Sequence, residues 1–407
     1  MEGAARAARY RDVFGNGEFR SLWFAELIST AGDQVARVAL SYLVYQGTES
    51  AALAALTFAL TMLPALFGPL LAGLADRYPR RQVMIVADVL RAVLVGFMAI
   101  PNLPLYLMFP LVFVVTLVTS PSNAARGALL ADVLSGDELT VGQGLRGMVD
   151  QVGQVGGYAL GGFLIAAFSA NGALLGDAAS FVLSALLIIF GVRRRPAANA
   201  GGEHISLWES TRRGAVLVWS DQQLRTLVAL IWMIGLPVAA EGLAVPYVAQ
   251  TAHQDPVASG WLLAANPLGA VLGAFLITKL APALRLRLMG PLAAASGLPL
   301  LVCVLQPPVA VSCLMFGLSG AAAAYMVVAP PAFIQRTPVT GRGQAIGLMS
   351  SGAIAAQGIA VALAGVVAEA TGSAGALGIT GVATLVVGAA LALAWKRASG
   401  GAVLSDA

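Results

Sequence analysis

Three charged residues, Glu26, Asp33 and Arg37, stand in the first long apolar stretch of the chain. Their spacings of seven and four residues place them on one face of an α-helix. Asp33 and Arg37 form an acid–base pair at i, i+4 in the favourable order, which predicts a salt bridge. Glu26 has no charged residue three or four positions away, and a buried carboxyl without a partner readily binds a proton. We therefore expect Glu26 to carry a proton, and Asp33 and Arg37 to serve in binding or gating.

Each of these residues also has a purely structural interpretation. Asp33 and Arg37 can serve as a salt bridge that only stabilises the helix, and Glu26 can extend towards the membrane surface. Charges inside a membrane are costly, so the face that carries them is a functional candidate by default.

The elements that position these charges are apolar runs of about 18–25 residues, the length that crosses a bilayer. Hydrophobic residues make up 58% of the chain and charged residues 11%, against about 25% charged residues in soluble domains. Lipid must therefore surround most of the chain. We predict twelve spans, at 20–45, 51–75, 82–100, 104–123, 145–168, 173–192, 225–249, 257–280, 288–305, 309–329, 345–368 and 374–395.

The positive charges are confined to alternate ends of these spans. Of the 24 Lys and Arg residues, all except Arg37 and Arg91 lie in the N-terminal arm, the C-terminal tail, or the even-to-odd loops and adjoining helix ends. By the positive-inside rule both termini are cytoplasmic. The sequence thus predicts an all-α, multi-pass protein of the cell membrane with twelve transmembrane helices.

The longest polar interruption divides the spans into two sets of six. We predict an N-terminal six-helix bundle at 1–192, a cytoplasmic linker with an amphipathic helix at 193–224, and a C-terminal six-helix bundle with a short tail at 225–407. The fifth span of each set is entered by a similar segment, QGLRGM at 143–148 and QAIGLM at 344–349. This match favours two pseudo-symmetric repeats of one six-helix unit around a central cavity.

The loop between spans two and three reads GLADRYPRR at 73–81. It resembles the signature G-x-L-a-D-r-x-G-r-r that the major facilitator superfamily carries in this loop, with Ala72 at the first glycine position and Pro79 at the second. The resemblance implies a cytoplasmic gate, and a simple topological anchor is the alternative. An acid beside arginines at a helix end can lock two half-bundles. The predicted gate residues are Gly73, Asp76, Arg77, Arg80 and Arg81, supported by the i, i+3 pair Asp88 and Arg91.

Four of the glycines in span five, Gly153, Gly157, Gly161 and Gly162, follow the pattern G-x-x-x-G-Y-x-x-G-G. They match the motif g-x-x-x-G-P-x-x-G-G of the exporter branch of the same family, with Tyr158 in the place of the proline. Spacings of four also suit generic close helix packing. The first 190 residues look like the macrolide-efflux and siderophore-exporter branch, whereas the Arg-x-x-Gln-Gly motif of many drug–proton antiporters is absent from span four.

Further polar residues lie within the predicted spans. Asp150 is expected to pair with Arg146 at i−4. Glu241 in span seven is a candidate for the lining of the cavity. Five neutral residues are candidates for contact with a cargo or, equally, for hydrogen bonds between helices, namely Gln151, Gln154, Asn266, Tyr325 and Gln357.

Several function classes are excluded by missing motifs. Lys279 and Lys396 are the two lysines, and neither completes a phosphate-binding G-x-x-x-x-G-K-S/T loop. The sequence also lacks a G-x-S-x-G elbow and a His-rich metal motif. We expect no enzyme activity, ATP use, cofactor, metal or nucleic acid.

The remaining interpretation is a secondary active transporter, working as a monomer, that exports a small amphipathic organic compound such as an antibiotic, drug or siderophore. Export would proceed by proton antiport and alternating access. The alternatives are a gradient-driven facilitator or importer on the same fold and, more remotely, a membrane receptor or scaffold that moves no cargo.

Overall fold

The computed structural model describes residues 9–67, 77–196 and 207–400, and this part of the chain is helical with no β-strand. The helices are α1 Tyr10–Gly15, α2 Gly17–Thr48, α3 Ala51–Leu60, α4 Arg80–Met98, α5 Leu105–Val133, α6 Gly136–Gly191, α7 Leu207–Ser220, α8 Gln222–Trp232, α9 Gly235–Thr251, α10 Pro256–Thr278, α11 Pro282–Ala295, α12 Leu298–Val302, α13 Val309–Ala322, α14 Ala329–Arg336 and α15 Arg342–Gly400. Short 3₁₀ turns follow α3, α12 and α13.

Seven segments of the described chain are long and apolar enough to cross a membrane. They are Leu105–Val133, Gly136–Gly191, Gln222–Thr251, Pro256–Thr278, Pro282–Leu305, Val309–Arg336 and Arg342–Ser399. Two of them, with 56 and 58 residues, are about twice the length that a bilayer needs. The chain is therefore a multi-pass membrane protein, and the total of twelve spans stays a prediction.

Each of the two longest helices contains a sharp corner. The corner of α6 is at Ser169, with φ 75° and ψ 167°, and the corner of α15 is at Gly372, with φ 72° and ψ 163°. The predicted loops near 169–172 and 369–373 coincide with these corners. The two corners share one backbone conformation, and both follow the fifth predicted span of their half.

The contacts divide the chain into two compact units. Unit one comprises residues 1–39 and 67–202, and unit two comprises residues 40–66 and 203–407. Residues 40–66 therefore have most of their contacts in unit two, although the predicted N-terminal bundle includes them. In unit one, α4 packs against α5 and α6. A core cluster, made of Leu22, Ala25, Met84, Ala125, Leu129, Ile188 and Val192, joins these helices to α2.

Unit two is built around α15, which packs against α3, α8, α9 and α11. Helices α10 and α13 approach so closely that a Cβ atom on Gly320 would lie 2.0 Å from the carbonyl oxygen of Asn266. Small residues permit such backbone contact between membrane helices. Helix α7 occupies the linker where the sequence predicts an amphipathic helix, and its Gly214 lies against the start of α15.

One side chain of α15 caps the N-terminus of α3. Glu369 accepts hydrogen bonds through Oε1 from the Ser50 hydroxyl at 2.5 Å and from the backbone N–H of Ala52 at 2.9 Å. The Ser50 hydroxyl in turn accepts from the N–H of Leu53 at 3.1 Å. The first N–H groups of a helix have no intrahelical acceptor, so this cap satisfies donors that would otherwise be unpaired.

Candidate functional site

Glu26 lies in a buried cluster of charges in unit one. Arg146 of α6 donates from Nε to Oε1 of Glu26 at 2.8 Å, and Nη1 of Arg126 of α5 lies 3.5 Å from the same oxygen. Glu26 is 6% exposed and Arg126 5%. The prediction of a carboxyl without a partner is therefore wrong, because both partners come from helices remote in sequence. Arg146, expected to pair with Asp150, has its salt bridge with Glu26.

The space beside this cluster is small. A cavity of about 10 Å³ is lined by Phe19, Leu22, Trp23, Glu26, Arg126, Leu130 and Arg146. This volume is about the minimum that one water molecule needs. The Glu26 cluster is thus a packed ion-pair site and offers no room for an organic cargo in this conformation.

Asp33 belongs to a second cluster, one that includes α4. Nη2 of Arg91 lies 2.7 Å from both carboxylate oxygens of Asp33, and Nη1 of Arg91 lies 3.5 Å from Oδ1 of Asp88. The Ser184 hydroxyl of α6 donates to Oδ2 of Asp88 at 2.6 Å. The sequence correctly paired Asp88 with Arg91. It named Arg37 as the partner of Asp33 and missed Arg91.

Arg37 contacts the residue that replaces proline in the glycine motif. Nη1 of Arg37 donates to the hydroxyl of Tyr158 at 3.0 Å, and Tyr158 is completely buried. The tyrosine therefore supplies a polar contact between α2 and α6 at a position where proline has no side-chain acceptor.

The glycines around Tyr158 lie against α2. A Cβ on Gly153 would lie 2.8 Å from the Thr30 side chain, and one on Gly161 would lie 3.2 Å from Cα of Val35. Gly157 is between them in the same row, and Gly162 is also buried. This face of α6 thus brings the helix that carries Tyr158 and Arg146 against the helix that carries Glu26, Asp33 and Arg37.

Part of the predicted gate lies outside the described residues, namely Gly73 and Asp76. Arg77 is exposed. Arg80 forms a salt bridge with Asp132 of α5 at 2.5 Å, and Nη2 of Arg81 donates to the carbonyl of Ile189 in α6 at 2.7 Å. Arg80 and Arg81 therefore connect the start of α4 to its two neighbours within unit one.

The other predicted polar residues are distributed over both units. In unit one, Gln151 is exposed and Gln154 is partly buried. In unit two, Glu241 and Gln357 are partly buried, and Nε2 of Gln357 donates to the carbonyl of Ala353 at 3.2 Å. Asn266 is 9% exposed. Tyr325 is fully buried, and its hydroxyl has no hydrogen-bond partner among the described residues.

Sequence reasoning missed three acids of unit one that pair with an arginine or lie beside an ion pair. Asp177 is 1% exposed and lies in α6 beside the Asp33 cluster. Asp132 is the partner of Arg80, and Glu18 of α2 is the partner of Arg195. For Asp177 the signal was present, since an acid within an apolar span is itself a functional indication.

The chain matches the family model of the Major Facilitator Superfamily twice, over residues 22–240 and 227–404. It is 30% identical over 380 residues to the protein named multidrug efflux pump Tap of Mycobacterium tuberculosis (strain ATCC 25618 / H37Rv), covering 86% of each chain. The Tap protein of Mycolicibacterium fortuitum is 29% identical over 378 residues, with 88% of this chain and 90% of that protein covered.

A solved structure has the same fold. The crystal structure of a bacterial homolog of the human lysosomal transporter Spinster matches with a TM-score of 0.69 at 15% identity, covering 94% of this chain and 96% of that one. The two matches to the family model and the similarity over 86% of both chains define a membrane transporter. This chain belongs to the Major Facilitator Superfamily and is similar to its drug-efflux members.

Proposed function

We propose that this chain exports small amphipathic organic compounds, such as antibiotics, other drugs or siderophore-like molecules, in exchange for protons. Its similarity to proteins named multidrug efflux pumps supports the direction and the class of cargo. The glycine face of α6, which matches the exporter motif except at Tyr158, supports the same direction.

The observation that carries proton exchange is the salt bridge between Asp33 and Arg91. The Arg91 side chain is 3% exposed and that of Asp33 34%, so the carboxylate is accessible while its counter-ion is buried. Separating a buried pair leaves an uncompensated charge, which costs several kcal/mol. A proton on Asp33, or a cation bound beside it, removes that cost.

The proposed pathway uses residues of both units. Glu26, Asp33, Arg37, Gln151 and Gln154 are its proposed polar groups in unit one. Its groups in unit two are Glu241, Asn266, Tyr325 and Gln357. The proposed topology is twelve spans with cytoplasmic termini, in bundles at 1–192 and 225–407, and the proposed transport cycle is alternating access. Asp76 and its arginines are the proposed cytoplasmic gate.

Flux into proteoliposomes tests the proposal. Ethidium accumulation is measured with and without an imposed pH gradient, and a gradient of one unit supplies about 1.4 kcal/mol per proton, enough for about tenfold accumulation in one-for-one exchange. Asp33→Asn and Glu26→Gln are expected to abolish the dependence on the gradient. Glu18→Gln is the matched control, because it removes an acid of the same helix outside the predicted span.

The alternatives predict other outcomes. Ethidium flux that follows only its own gradient, unchanged by pH in every variant, would contradict antiport and support a facilitator or importer. If ethidium, erythromycin and a catecholate siderophore all fail to move in a reconstituted, folded protein, the receptor or scaffold interpretation is favoured.

A further inference from the structure

Asp177 is a buried acid packed directly against α2. Its Oδ1 accepts a hydrogen bond from the Ser180 hydroxyl at 3.2 Å, and its Oδ2 has no hydrogen-bond partner among the described residues. A Cβ on Gly32 would lie 2.3 Å from Oδ1. The carboxyl therefore occupies the space that a side chain at 32 would fill, next to Asp33.

The charged groups around Asp177 come from α2 and α4. Asp33 on α2 and Arg91 on α4 are close enough to act on it electrostatically, and Asp88 on α4 shares Arg91. The guanidinium of Arg91 also lies 3.9 Å from the ring centroid of Phe181, one helical turn from Asp177. Three carboxyls thus surround Arg91, and the charge of Arg126 on α5 also acts on Asp88.

Arg91 is shared among three carboxyls, and Arg126 is shared between Asp88 and Glu26. Asp177 therefore has no arginine of its own among the described residues when all three acids are ionised. Like charges held close together favour binding of a proton by one member, most strongly where that member is buried. Asp33 has both oxygens on Arg91, and Asp88 has Arg91 and the Ser184 hydroxyl. Asp177 has the Ser180 hydroxyl alone, which makes it the member that binds the proton.

We propose that Asp177 is a proton-binding site and that Arg91 exchanges between Asp33 and Asp177 when a lipophilic cation binds Asp33. The cation replaces the guanidinium at Asp33, and the freed Arg91 forms a salt bridge with Asp177. The O–H bond of Asp177 breaks and its proton leaves to water, so one positive charge enters the cluster as another leaves. This step rests on the proposed antiport, and it specifies lipophilic cations as the class of cargo.

Proton release on binding tests the step without transport. Ethidium is added to the purified protein in weakly buffered detergent solution, binding is followed by its fluorescence, and release by a pH indicator. Wild type is expected to release a proton for each cation bound and to lose the infrared carbonyl band of a protonated carboxyl. Asp177→Asn, which resembles protonated Asp, is expected to bind ethidium without either signal.

Two further variants complete the experiment. Asp150→Asn removes another acid of α6 and is expected to behave as wild type, while Asp177→Glu is expected to restore release in a folded protein. Equal release from wild type and Asp177→Asn, or binding to wild type without release, would overturn the inference. Gradient-driven accumulation that survives in Asp177→Asn would overturn this site alone, whereas gradient-independent flux in wild type would overturn the proposed function.

Discussion

Gly157 of α6 and Ala31 of α2 are in backbone contact. A Cβ atom on Gly157 would lie 2.5 Å from the carbonyl oxygen of Ala31 and 2.7 Å from Cβ of Gln34, closer than any real Cβ contact. The two helices that carry Glu26, Asp33, Arg37 and Tyr158 can approach this closely because position 157 has no side chain.

Gly157→Ala is expected to destabilise the protein by about 1–3 kcal/mol, the usual cost of overpacking a tight interface. Gly156→Ala is the matched control, since nothing lies within 4 Å of a Cβ at that position. It should be neutral or stabilising by up to about 1 kcal/mol because alanine favours the helix. Thermal unfolding in detergent measures both, and equal midpoints for the two variants would contradict the packing argument.

Arg91→Ala is expected to be among the most destabilising single changes in unit one. It removes the guanidinium that pairs with both Asp33 and Asp88, and breaking a buried pair costs about 3–5 kcal/mol. Arg81→Ala, which removes a hydrogen bond to a backbone carbonyl, is the control. The double variant Arg91→Ala/Asp33→Asn should recover part of the loss in urea or thermal unfolding. A single variant no worse than the control would contradict this account.

The corners at Ser169 and Gly372 predict that Ser169→Gly and Gly372→Ser change the unfolding midpoint in opposite directions. Their shared conformation, with φ near 75° and 72°, is one that glycine adopts freely and that costs other residues about 1–3 kcal/mol. Ser169→Gly should therefore raise the unfolding midpoint, although it removes the hydrogen bond from the N–H of Gly172 to the Ser169 hydroxyl. Gly372→Ser should lower the midpoint, and the same sign for both variants would contradict the strain argument.

The pair Glu18–Arg195 predicts a dependence of stability on pH. Burial raises the pKa of Glu18, but hydrogen bonds from Arg195 and the Arg193 backbone, with the charges of both arginines, outweigh it and lower the pKa below its ordinary value of 4.5. A lowered carboxylate pKa stabilises the folded state above the unfolded value, and this stability is lost as the pH falls through the folded value.

Thermal unfolding of wild type and Glu18→Gln over a pH series measures this effect. The advantage of wild type should be complete above pH 4.5 and should disappear at lower pH. Glu138→Gln, at the start of α6, is the control. A wild-type advantage that grows as the pH falls would contradict the prediction.

The sequence located the helices well because apolar length and breaker residues are local signals. The predicted span ends near 168 and 368 meet the corners at Ser169 and Gly372, and the pair Asp88–Arg91 follows from its i, i+3 spacing. Family membership followed from the loop motif at 73–81, because a motif of consecutive residues is also a local signal.

The partners of the buried acids followed from no local pattern. Glu26 meets Arg146 and Arg126, and Asp33 meets Arg91, only because helices distant in the chain pack together. Periodicity along one helix shows which residues share a face, but it does not identify the helix opposite that face. Asp177 is the exception, because an acid within an apolar span is itself a local signal, and only its contact with Gly32 depends on helix packing.

The cap of Glu369 on α3 determines how the contact between α3 and α15 responds to acid. Hydrogen bonds from the Ser50 hydroxyl and the Ala52 N–H lower the pKa of Glu369 below its ordinary value. This carboxylate, in the predicted outer loop, therefore keeps its charge in the mildly acidic medium that would power proton exchange. The contact between α3 and α15 therefore does not depend on the acidity of that medium.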